Sequence, residues 1–426
     1  MAAALELARQ GVRVACIDAL GERGPLLSFD PDLAFDLALR RRHGDSGSWR
    51  REARAAARSL VRSWALRYRR LGGFGFSARV RFRGPHELEL EPGGRLRFER
   101  AILAPGARPQ RPAWTRAWSH MLRDVQHLFE GDAPVRSALV RGGGERSCEL
   151  ALLLARMRAR VILVDRRERL LRGLDRFLRE ALHEALQEAG VEVILGETIG
   201  AIRSGAMGGT PHVEVELGSG RRERSDAVLL SLGAQARLEH LGLEPVDLQR
   251  GAAGSLVVDE CWRTSCPSLL AVGTGAGEAG DLVTQWIHGR AAARSALGRA
   301  APAPGTPLVV IRTDPPLASV GLTDEACAQL DLPCAVHRAD LKLSGPGPAQ
   351  SSRLKLVVGH DGILRGLHGV GPGIDRLARA ACALVDAQAN LDALLDPSSR
   401  ASPLLARAAD AVVDLALPAT KAAGAR

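Results

Sequence analysis

Lysine is almost absent from this chain, and aromatic residues are few. Only three of the 58 lysine and arginine residues are lysine, at positions 342, 355 and 421, although the formal net charge is +10. Such a skew reflects arginine-rich codon usage more often than a basic binding surface. Aromatic residues make up 4% of the chain, which argues against stacking on nucleic-acid bases as a main activity.

Long apolar runs and closely paired cysteines are also lacking. No window approaches the roughly 20 apolar residues that a membrane helix needs, and Glu6 interrupts the apolar N-terminal stretch, so a signal peptide is not expected. The cysteines are Cys16, Cys148, Cys261, Cys266, Cys327, Cys334 and Cys382. They show neither a C-x-x-C pair nor a disulfide-framework spacing, which indicates a reducing, cytoplasmic setting.

The densest basic patch lies within residues 50–70. Arg51, Arg54, Arg58 and Arg62 follow helical spacing and would share one face of a helix. A solvated helix face is the simpler interpretation, and a nucleic-acid partner is not expected. A basic nucleic-acid-binding module is kept as an alternative, which binding with a steep salt dependence would support.

The most informative segment has the order strand, glycine-rich turn, helix, strand and acidic residue. An apolar strand at 137–141 leads into Gly142, and an apolar run with helical spacing covers 148–157. Gly142 permits the tight turn, and Gly144 lets the backbone approach a pyrophosphate at the positive end of the helix. Ser147 replaces the third glycine of G-x-G-x-x-G, so it lowers affinity or shifts the helix without forbidding binding. The segment predicts a dinucleotide-binding βαβ unit.

The second strand of this unit, at 160–164, ends on Asp165. Its distance from the first glycine is close to the roughly 20 residues expected for a ribose-binding acid. Asp165 favours NAD, because it accepts hydrogen bonds from ribose hydroxyls and repels a 2′-phosphate. Arg166, Arg167 and Arg169 could instead pair with that phosphate, or they form a solvated loop. The choice between NAD and NADP stays open.

The N-terminal residues look like the second half of another βαβ unit. A helix is predicted at 2–10, Gly11 ends it, and a strand at 12–17 ends on Asp18. The strand and glycine turn that should precede them are missing. We expect either that the chain was started at an internal methionine or that a dinucleotide site has been lost.

The rest of the chain alternates strands, turns and helices. A hairpin is predicted at 79–83 and 87–90, and a strand at 96–103 leads into a proline-containing turn of small residues. Further strands are predicted at 191–195, 212–217, 227–231, 255–258, 269–272, 308–312, 354–358 and 363–370, and helical regions at 273–294, 374–386 and 403–415. The clearest linker is 300–306.

A series of short motifs resembles one known family in its order along the chain. The motifs are the turn 103–109 (LAPGARP), Cys148-Glu149, 167–171 (RERLL), Leu174-Asp175, 230–233 (LSLG), Arg263-Thr264-Ser265, 270–273 (LAVG), Pro315-Pro316, 320–323 (VGLT), 354–356 (LKL) and 366–371. In this order they resemble the class I, FAD-dependent pyridine nucleotide–disulfide oxidoreductases. Within that family, the segment 144–175 is most similar to the soluble pyridine nucleotide transhydrogenases.

The resemblance implies an α/β fold with two Rossmann-like FAD- and NAD(P)-binding domains, the first of them N-terminally incomplete, and a C-terminal α+β dimerisation domain. The implied domains are 1–135 (FAD, first part), 136–254 (NAD(P)), 255–299 (FAD, return segment) and 306–426 (dimerisation). The implied cofactors are FAD and NAD(P), with NAD(H) or NADP(H) as substrates and a homodimer as the assembly.

The resemblance also implies a set of site residues. Glu149 would lie beside the flavin–nicotinamide junction and is the one candidate catalytic side chain. The implied FAD contacts are Asp18, Ala104, Gly106, Arg108, Gly273 and Thr274, and Gly233 is an implied cofactor contact at the exit from the nucleotide domain. The implied NAD(P) contacts are Gly142, Gly144, Ser147, Asp165, Arg166 and Arg167.

Several residues at the family's reaction site are replaced. The replacements are Ser28 nearest to the first redox thiol, Leu37 for the lysine that pairs with the glutamate, Thr274 for the aspartate that binds the ribityl chain, and Asp396-Pro397-Ser398 with Ala401 for the C-terminal His-Pro-Thr…Glu motif. No cysteine occurs at 24–36. A dithiol relay needs a thiolate and a base to activate it, so disulfide reduction is not expected.

Hydride transfer between a nicotinamide and a flavin needs stacked rings and no thiol. We therefore predict an FAD-dependent NAD(P)H oxidoreductase of the transhydrogenase kind. The alternative is a catalytically inactive homologue that keeps the fold and nucleotide binding, which the clustering of replacements at the site favours.

Overall fold

The computed structural model describes residues 1–18, 38, 49–125, 127–130, 135–207, 210–251, 254–277, 282–301, 305–343, 350–388 and 390. The chain divides into two compact units, each made of two segments. The first unit contains Met1–Pro134 and Ala227–Pro304, and the second contains Val135–Asp226 and Gly305–Arg426.

Helices and strands alternate in both units. Among the described residues the helices are α1 Ala2–Arg9, α2 Trp49–Arg70, α3 His127–Glu130, α4 Glu145–Arg156, α5 Arg176–Glu188, α6 Leu282–Ala296, α7 Asp324–Gln329 and α8 Ile374–Asp386, with 3₁₀ turns at Ala113–Trp118, Glu244–Val246 and Gly273–Ala276. The strands are β1 Ala15–Asp18, β2 Phe74–Ser77, β3 Arg79–Gly84, β4 Glu87–Glu91, β5 Arg95–Arg97, β6 Ala101–Leu103, β7 Ala107–Pro109, β8 Leu122–Arg123, β9 Ser137–Arg141, β10 Arg160–Val164, β11 Glu192–Ile194, β12 Ile199–Met207, β13 Thr210–Leu217, β14 Arg222–Ser225, β15 Ala227–Leu230, β16 Ala234–Ala236, β17 Leu269–Ala271, β18 Leu308–Ile311, β19 Leu317–Gly321, β20 Cys334–Leu343, β21 Gln350–Gly359 and β22 Leu364–Val370.

Short parallel pairs of strands characterise the first unit. β1 pairs with β2, β6 with β17, and β8 with β15, all in parallel. β3, β4 and β5 form an antiparallel meander. The hydroxyl of Tyr68, a fully buried residue of α2, lies 2.7 Å from the Val14 carbonyl oxygen and 3.0 Å from that of Phe74. This hydroxyl therefore ties α2 to the chain at the start of β1 and β2.

In the second unit, β11, β10 and β9 are parallel neighbours. β9 and β10 are almost wholly buried, as expected for parallel strands covered on both faces. The helix α4 packs on both strands. β12, β13 and β14 follow as a separate antiparallel sheet.

The C-terminal part of the second unit is an antiparallel sheet in the order β18-β19-β22-β21-β20. The helix α8 packs on β19 and β22. It buries Ile374, Leu377, Ala378 and Ala381, and this spacing forms a single apolar stripe on a helix. An amphipathic helix on a sheet gives this part its own core.

The sequence predictions of the βαβ unit, of the hairpin β3–β4 and of the helices α1, α2 and α8 are confirmed. The predicted strand at 96–103 is wrong, because β5 pairs with β4 whereas β6 pairs with β17. The chain changes partner between them: the Phe98 amide donates to His86 and the Ala101 amide to Ser268. The predicted strand at 255–258 is also wrong, since only an isolated bridge joins Arg250 to Leu256.

Several elements were not predicted, among them α5, β12, β14, β19 and β20. The predicted helix at 403–415 and part of the linker at 300–306 lie outside the described residues. No helix in the described part of the chain is both long and apolar enough to cross a membrane.

Candidate functional site

The glycine turn after β9 presents open backbone at the start of α4. Gly142 has φ 141°, a conformation that favours glycine, and its amide donates to the Val164 carbonyl at 2.9 Å. Gly144 is the N-cap of α4, and a Cβ built on it would meet nothing within 4 Å. The first amides of a helix point away from its own hydrogen-bond ladder, so a helix N-terminus next to open space can donate to an anionic group such as a phosphate.

Asp165 lies at the end of β10, directly against this turn. A Cβ on Gly143 would lie 2.9 Å from the Asp165 Cγ, so the carboxylate fills the space that any larger residue would need. Its Oδ1 accepts the Arg167 amide at 2.8 Å, and its Oδ2 lies 3.2 Å from the Arg141 Nη1. Asp165 is 5% exposed, and both its oxygens already have partners within the protein.

Arg141 is a buried arginine at the end of a buried strand, and sequence reasoning missed it. Desolvation lowers its pKa, the charge of Asp165 opposes this, and Arg166 and Arg167 lower it further, with a net lowering. A guanidinium stays protonated regardless. Among the described residues its Nε is buried without a hydrogen-bond partner. Arg166 and Arg167 lie close enough to Arg141 for their charges to act on it, and both are exposed.

Ser147 and Glu149 are both buried in the first turns of α4. Ser147 is fully buried, and its amide donates to the Gly144 carbonyl at 3.1 Å, so the helix accommodates this serine. The Glu149 Oε1 accepts the Arg312 amide at 2.9 Å, and the Glu149 Oε2 lies 3.6 Å from the Arg146 Nη1. The contacts of Glu149 thus join α4 to the residue after β18, and a catalytic role for Glu149 stays a prediction.

Two of the turns predicted to contact FAD meet in the first unit. β6 and β17 are parallel with Leu103 opposite Ala271, so the turns that follow them leave the same edge. A Cβ on Gly275 would lie 3.1 Å from the Pro105 Cδ, which places the turn at 104–106 against the 3₁₀ turn that contains Gly273 and Thr274. The carboxyl ends of parallel strands are where open α/β sheets bind ligands.

The other residues predicted to contact FAD, and Gly233, lie near this edge or on a different sheet. Arg108 is in β7, opposite Gln235 of β16, and its side chain pairs with Glu239. The Gly233 carbonyl accepts the Gln110 amide at 2.9 Å, so Gly233 adjoins the same ladder. Asp18 ends β1 in the separate β1–β2 pair. Ala104, Gly106, Arg108, Gly233, Gly273 and Thr274 thus form one neighbourhood.

Four of the sequence departures cannot be placed. Ser28, Leu37, Asp396-Pro397-Ser398 and Ala401 lie outside the described residues. No group of three or more histidine, cysteine, aspartate or glutamate side chains suited to a metal occurs in the part of the chain that the structure describes.

A protein family that combines this fold with these turns matches almost the whole chain. The pyridine nucleotide-disulphide oxidoreductase family matches residues 1–295, and the dimerisation domain of the same family matches residues 307–412. The chain belongs to this family, whose members use FAD and NAD(P)H. The expected fold class and cofactor class are confirmed.

Curated relatives share modest identity with this chain. A soluble pyridine nucleotide transhydrogenase of Chromohalobacter salexigens is 30% identical over 267 residues, 62% of this chain and 57% of the relative. A glutathione reductase of Burkholderia cepacia is 29% identical over 326 residues, 74% of this chain and 70% of the relative. The chain covers little more than half the length of the transhydrogenases that it matches first.

Solved structures show the likeness of fold over almost the whole chain. LpdA from Mycobacterium tuberculosis superposes with a TM-score of 0.81 at 19% identity, covering 97% of this chain and 96% of that one. The HOCl-induced flavoprotein disulfide reductase RclA from Escherichia coli gives 0.80 at 18% identity, with the same coverage. At such identities the comparison concerns the fold alone.

The backbone turns of this chain fit the two cofactors of the family, whereas the Asp165 side chain fits less well. The open turn at Gly144 suits a nucleotide phosphate, and the packed turns around Pro105 and Gly275 suit a flavin at a strand edge. FAD, when bound, would supply the two-electron redox chemistry. Asp165 fits less well as a ribose acceptor, because Arg141 and the Arg167 amide hold its carboxylate.

Proposed function

We propose that this protein is an FAD-dependent NAD(P)H oxidoreductase that passes hydride between a pyridine nucleotide and flavin, in the manner of a transhydrogenase, and that it does not reduce disulfides. The observation that carries the proposal is the open glycine turn at Gly144, at the N-terminus of α4 in a parallel βαβ unit. The curated transhydrogenase relatives support the same reaction class.

Cysteine chemistry argues against disulfide reduction. All seven cysteines are free, and none lies in the segment 24–36. Burial raises the pKa of Cys148 far above its usual value, and burial raises that of Cys382 to about 11. A catalytic relay needs a thiol with a lowered pKa, which reacts as a thiolate in every turnover, so the buried thiols of Cys148 and Cys382 are poor candidates for such a relay. Free thiols also agree with the proposed cytoplasmic setting.

In this proposal the described residues bind and orient the nucleotide. The α4 amides after Gly144 hold the phosphates. Glu149 anchors the first turns of α4 through the Arg312 amide, so it acts as a positioning residue for the phosphate site. The C-terminal domain supports a homodimer.

We further propose that the nucleotide site prefers NADP(H). Arg141 neutralises Asp165, which removes the acid that would select the ribose hydroxyls of NAD. Arg166 and Arg167 are exposed beside it and can pair with a 2′-phosphate. Replacing both by serine should weaken NADPH binding by about tenfold or more while leaving NADH binding unchanged. Arg222→Ser, an exposed arginine on β14, is the matched control.

The visible spectrum of the purified protein tests the main proposal. Flavin bands should be present, or should develop when FAD is added, and anaerobic NADPH should bleach them. A nicotinamide analogue should then be reduced in turn, whereas glutathione disulfide should not. If the protein shows no flavin bands even with added FAD, the proposal that it is an FAD-dependent enzyme is refuted.

A catalytically inactive homologue is the second candidate. The engagement of Asp165 by Arg141, and of Glu149 by Arg312, favours it because two of the three expected site carboxylates are already used within the protein. This candidate predicts that 2′,5′-ADP binds in a calorimeter while FAD does not bind and no hydride passes. Binding of both cofactors with turnover would exclude it.

A further inference from the structure

Two cysteines of the second unit come together although they lie on different elements. Cys327 lies on α7, Cys334 begins β20, and α7 packs on that strand. The Leu332 amide donates to the Cys327 carbonyl at 2.9 Å, so the chain folds back between the two cysteines. The thiols of Cys327 and Cys334 are within hydrogen-bonding reach of each other.

The two thiols differ in their access to solvent. Cys327 is 0% exposed, and burial, together with the hydrogen bond to Cys334, raises its pKa to about 11. Cys334 is half-buried and can meet a dissolved reagent. An accessible thiol with a second thiol beside it is the arrangement in which the first is oxidised and the second resolves it.

We propose that Cys327 and Cys334 form a redox-sensitive dithiol, which a peroxide converts into an intramolecular disulfide. In the first step the Cys334 sulfur attacks the peroxide O–O bond, which gives a sulfenic acid and one water. In the second step the Cys327 sulfur displaces the sulfenic oxygen, which forms the S–S bond and releases a second water. The peroxide accepts the two electrons, and both thiol protons leave in the waters.

The consequence of closing this bond follows from what α7 carries. Asp324, at the start of α7, lies 2.6 Å from the Nζ of Lys355 on β21. A disulfide would hold α7 on the sheet and so restrain this ion pair. The dithiol is independent of the proposed hydride transfer, because neither cysteine belongs to the glycine turn.

Peptide mapping of the full-length protein tests the proposal. Reduced protein is treated with hydrogen peroxide, and the remaining thiols are alkylated. Tryptic cleavage at Arg312 and Arg338 gives one peptide that contains both cysteines. We expect this peptide to be two hydrogens lighter and unalkylated, and to stay joined after cleavage before Asp331. Dithiothreitol should restore both thiols.

Variants assign the roles of the two cysteines. In Cys327→Ser, Cys334 should stop at the sulfenic acid, which dimedone traps. In Cys334→Ser, Cys327 should stay reduced, and in the control Cys382→Ser the wild-type disulfide should form. Wild-type protein that keeps all seven thiols, or that oxidises Cys334 to the sulfinic acid without a disulfide, would overturn the proposal even if a variant failed to fold.

Discussion

Lys355 holds together a buried ion pair in the second unit. Its Nζ lies 2.7 Å from the Asp175 Oδ2 and 2.6 Å from the Asp324 Oδ1. Asp175 also caps α5, since its Oδ1 accepts the Phe177 amide at 2.8 Å. Burial alone would lower the pKa of Lys355, but hydrogen bonds and charges from the two aspartates outweigh it, and the net pKa is raised. The lysine is therefore charged in the folded protein.

Replacing Lys355 by methionine leaves a carboxylate that is 0% exposed without its cation. Removing one partner of a buried ion pair costs about 3–5 kcal/mol, and we expect this loss in the free energy of unfolding. Asp324 has a 38% exposed side chain, so Asp324→Asn should cost less than about 1 kcal/mol. Lys355→Met combined with Asp175→Asn should recover part of the loss, because no buried charge then stays unpaired.

The pH dependence has a definite sign. Because the folded-state pKa of Lys355 is raised, its contribution is fully present below the ordinary lysine pKa and is lost as pH rises through the folded-state value. The stability difference between wild type and Lys355→Met should therefore shrink at strongly alkaline pH.

The unfolding assay must report on the second unit, because Lys355 belongs to it. All six tryptophans belong to the first unit, so their fluorescence does not follow the change directly. Urea unfolding monitored by far-UV circular dichroism gives the free energy, and hydrogen exchange of peptides from β21 and α5 locates the loss. A Lys355→Met variant within about 1 kcal/mol of wild type, or an Asp324→Asn variant that loses as much as Lys355→Met, would refute the reasoning.

Three further substitutions test other contacts. Gly366→Ala would place a Cβ 2.0 Å from the Leu322 carbonyl oxygen; we expect a loss above about 3 kcal/mol in urea unfolding, and a neutral variant would contradict the geometry. Tyr68→Phe removes a hydroxyl within reach of two backbone carbonyls and should cost about 1–2 kcal/mol, seen by tryptophan fluorescence. For Asp124, burial would raise the pKa, but the side-chain hydrogen bond from His127 and other contacts lower it on balance. Its contribution is thus present above the ordinary aspartate pKa and lost as pH falls through the folded-state value, so Asp124→Asn should flatten the acid limb of the stability curve; an unchanged limb would argue against this.

The glycine turn could be predicted from sequence because its signals are local. Each of these signals, namely Gly142, the apolar strands on either side and the terminal acid, can be recognised from a few adjacent residues without knowledge of distant contacts. Strands β12 and β20 were missed, because arginine, glycine and other polar residues interrupt their apolar alternation. The strand predicted at 96–103 failed because apolar periodicity does not report which partner each half pairs with.

The pairing of Arg141 with Asp165 was beyond sequence reasoning for a different reason. It depends on the parallel register that places Arg141 opposite Val164, directly before Asp165. An arginine inside an apolar strand was the available signal, but it does not identify its partner. The same holds for Glu149 with Arg312 and for Cys327 with Cys334.

By itself, the sequence determined the βαβ unit, the position of its glycine turn and the family pattern, because these follow from glycine conformation, apolar spacing and motif order. Only the tertiary structure decided which charges are neutralised. Asp175 pairs with Lys355, which lies 180 residues away in the chain, and the Asp165 carboxylate pairs with Arg141. Burial and pairing of charges depend on which strands and helices meet, and that information is not contained in local residue patterns.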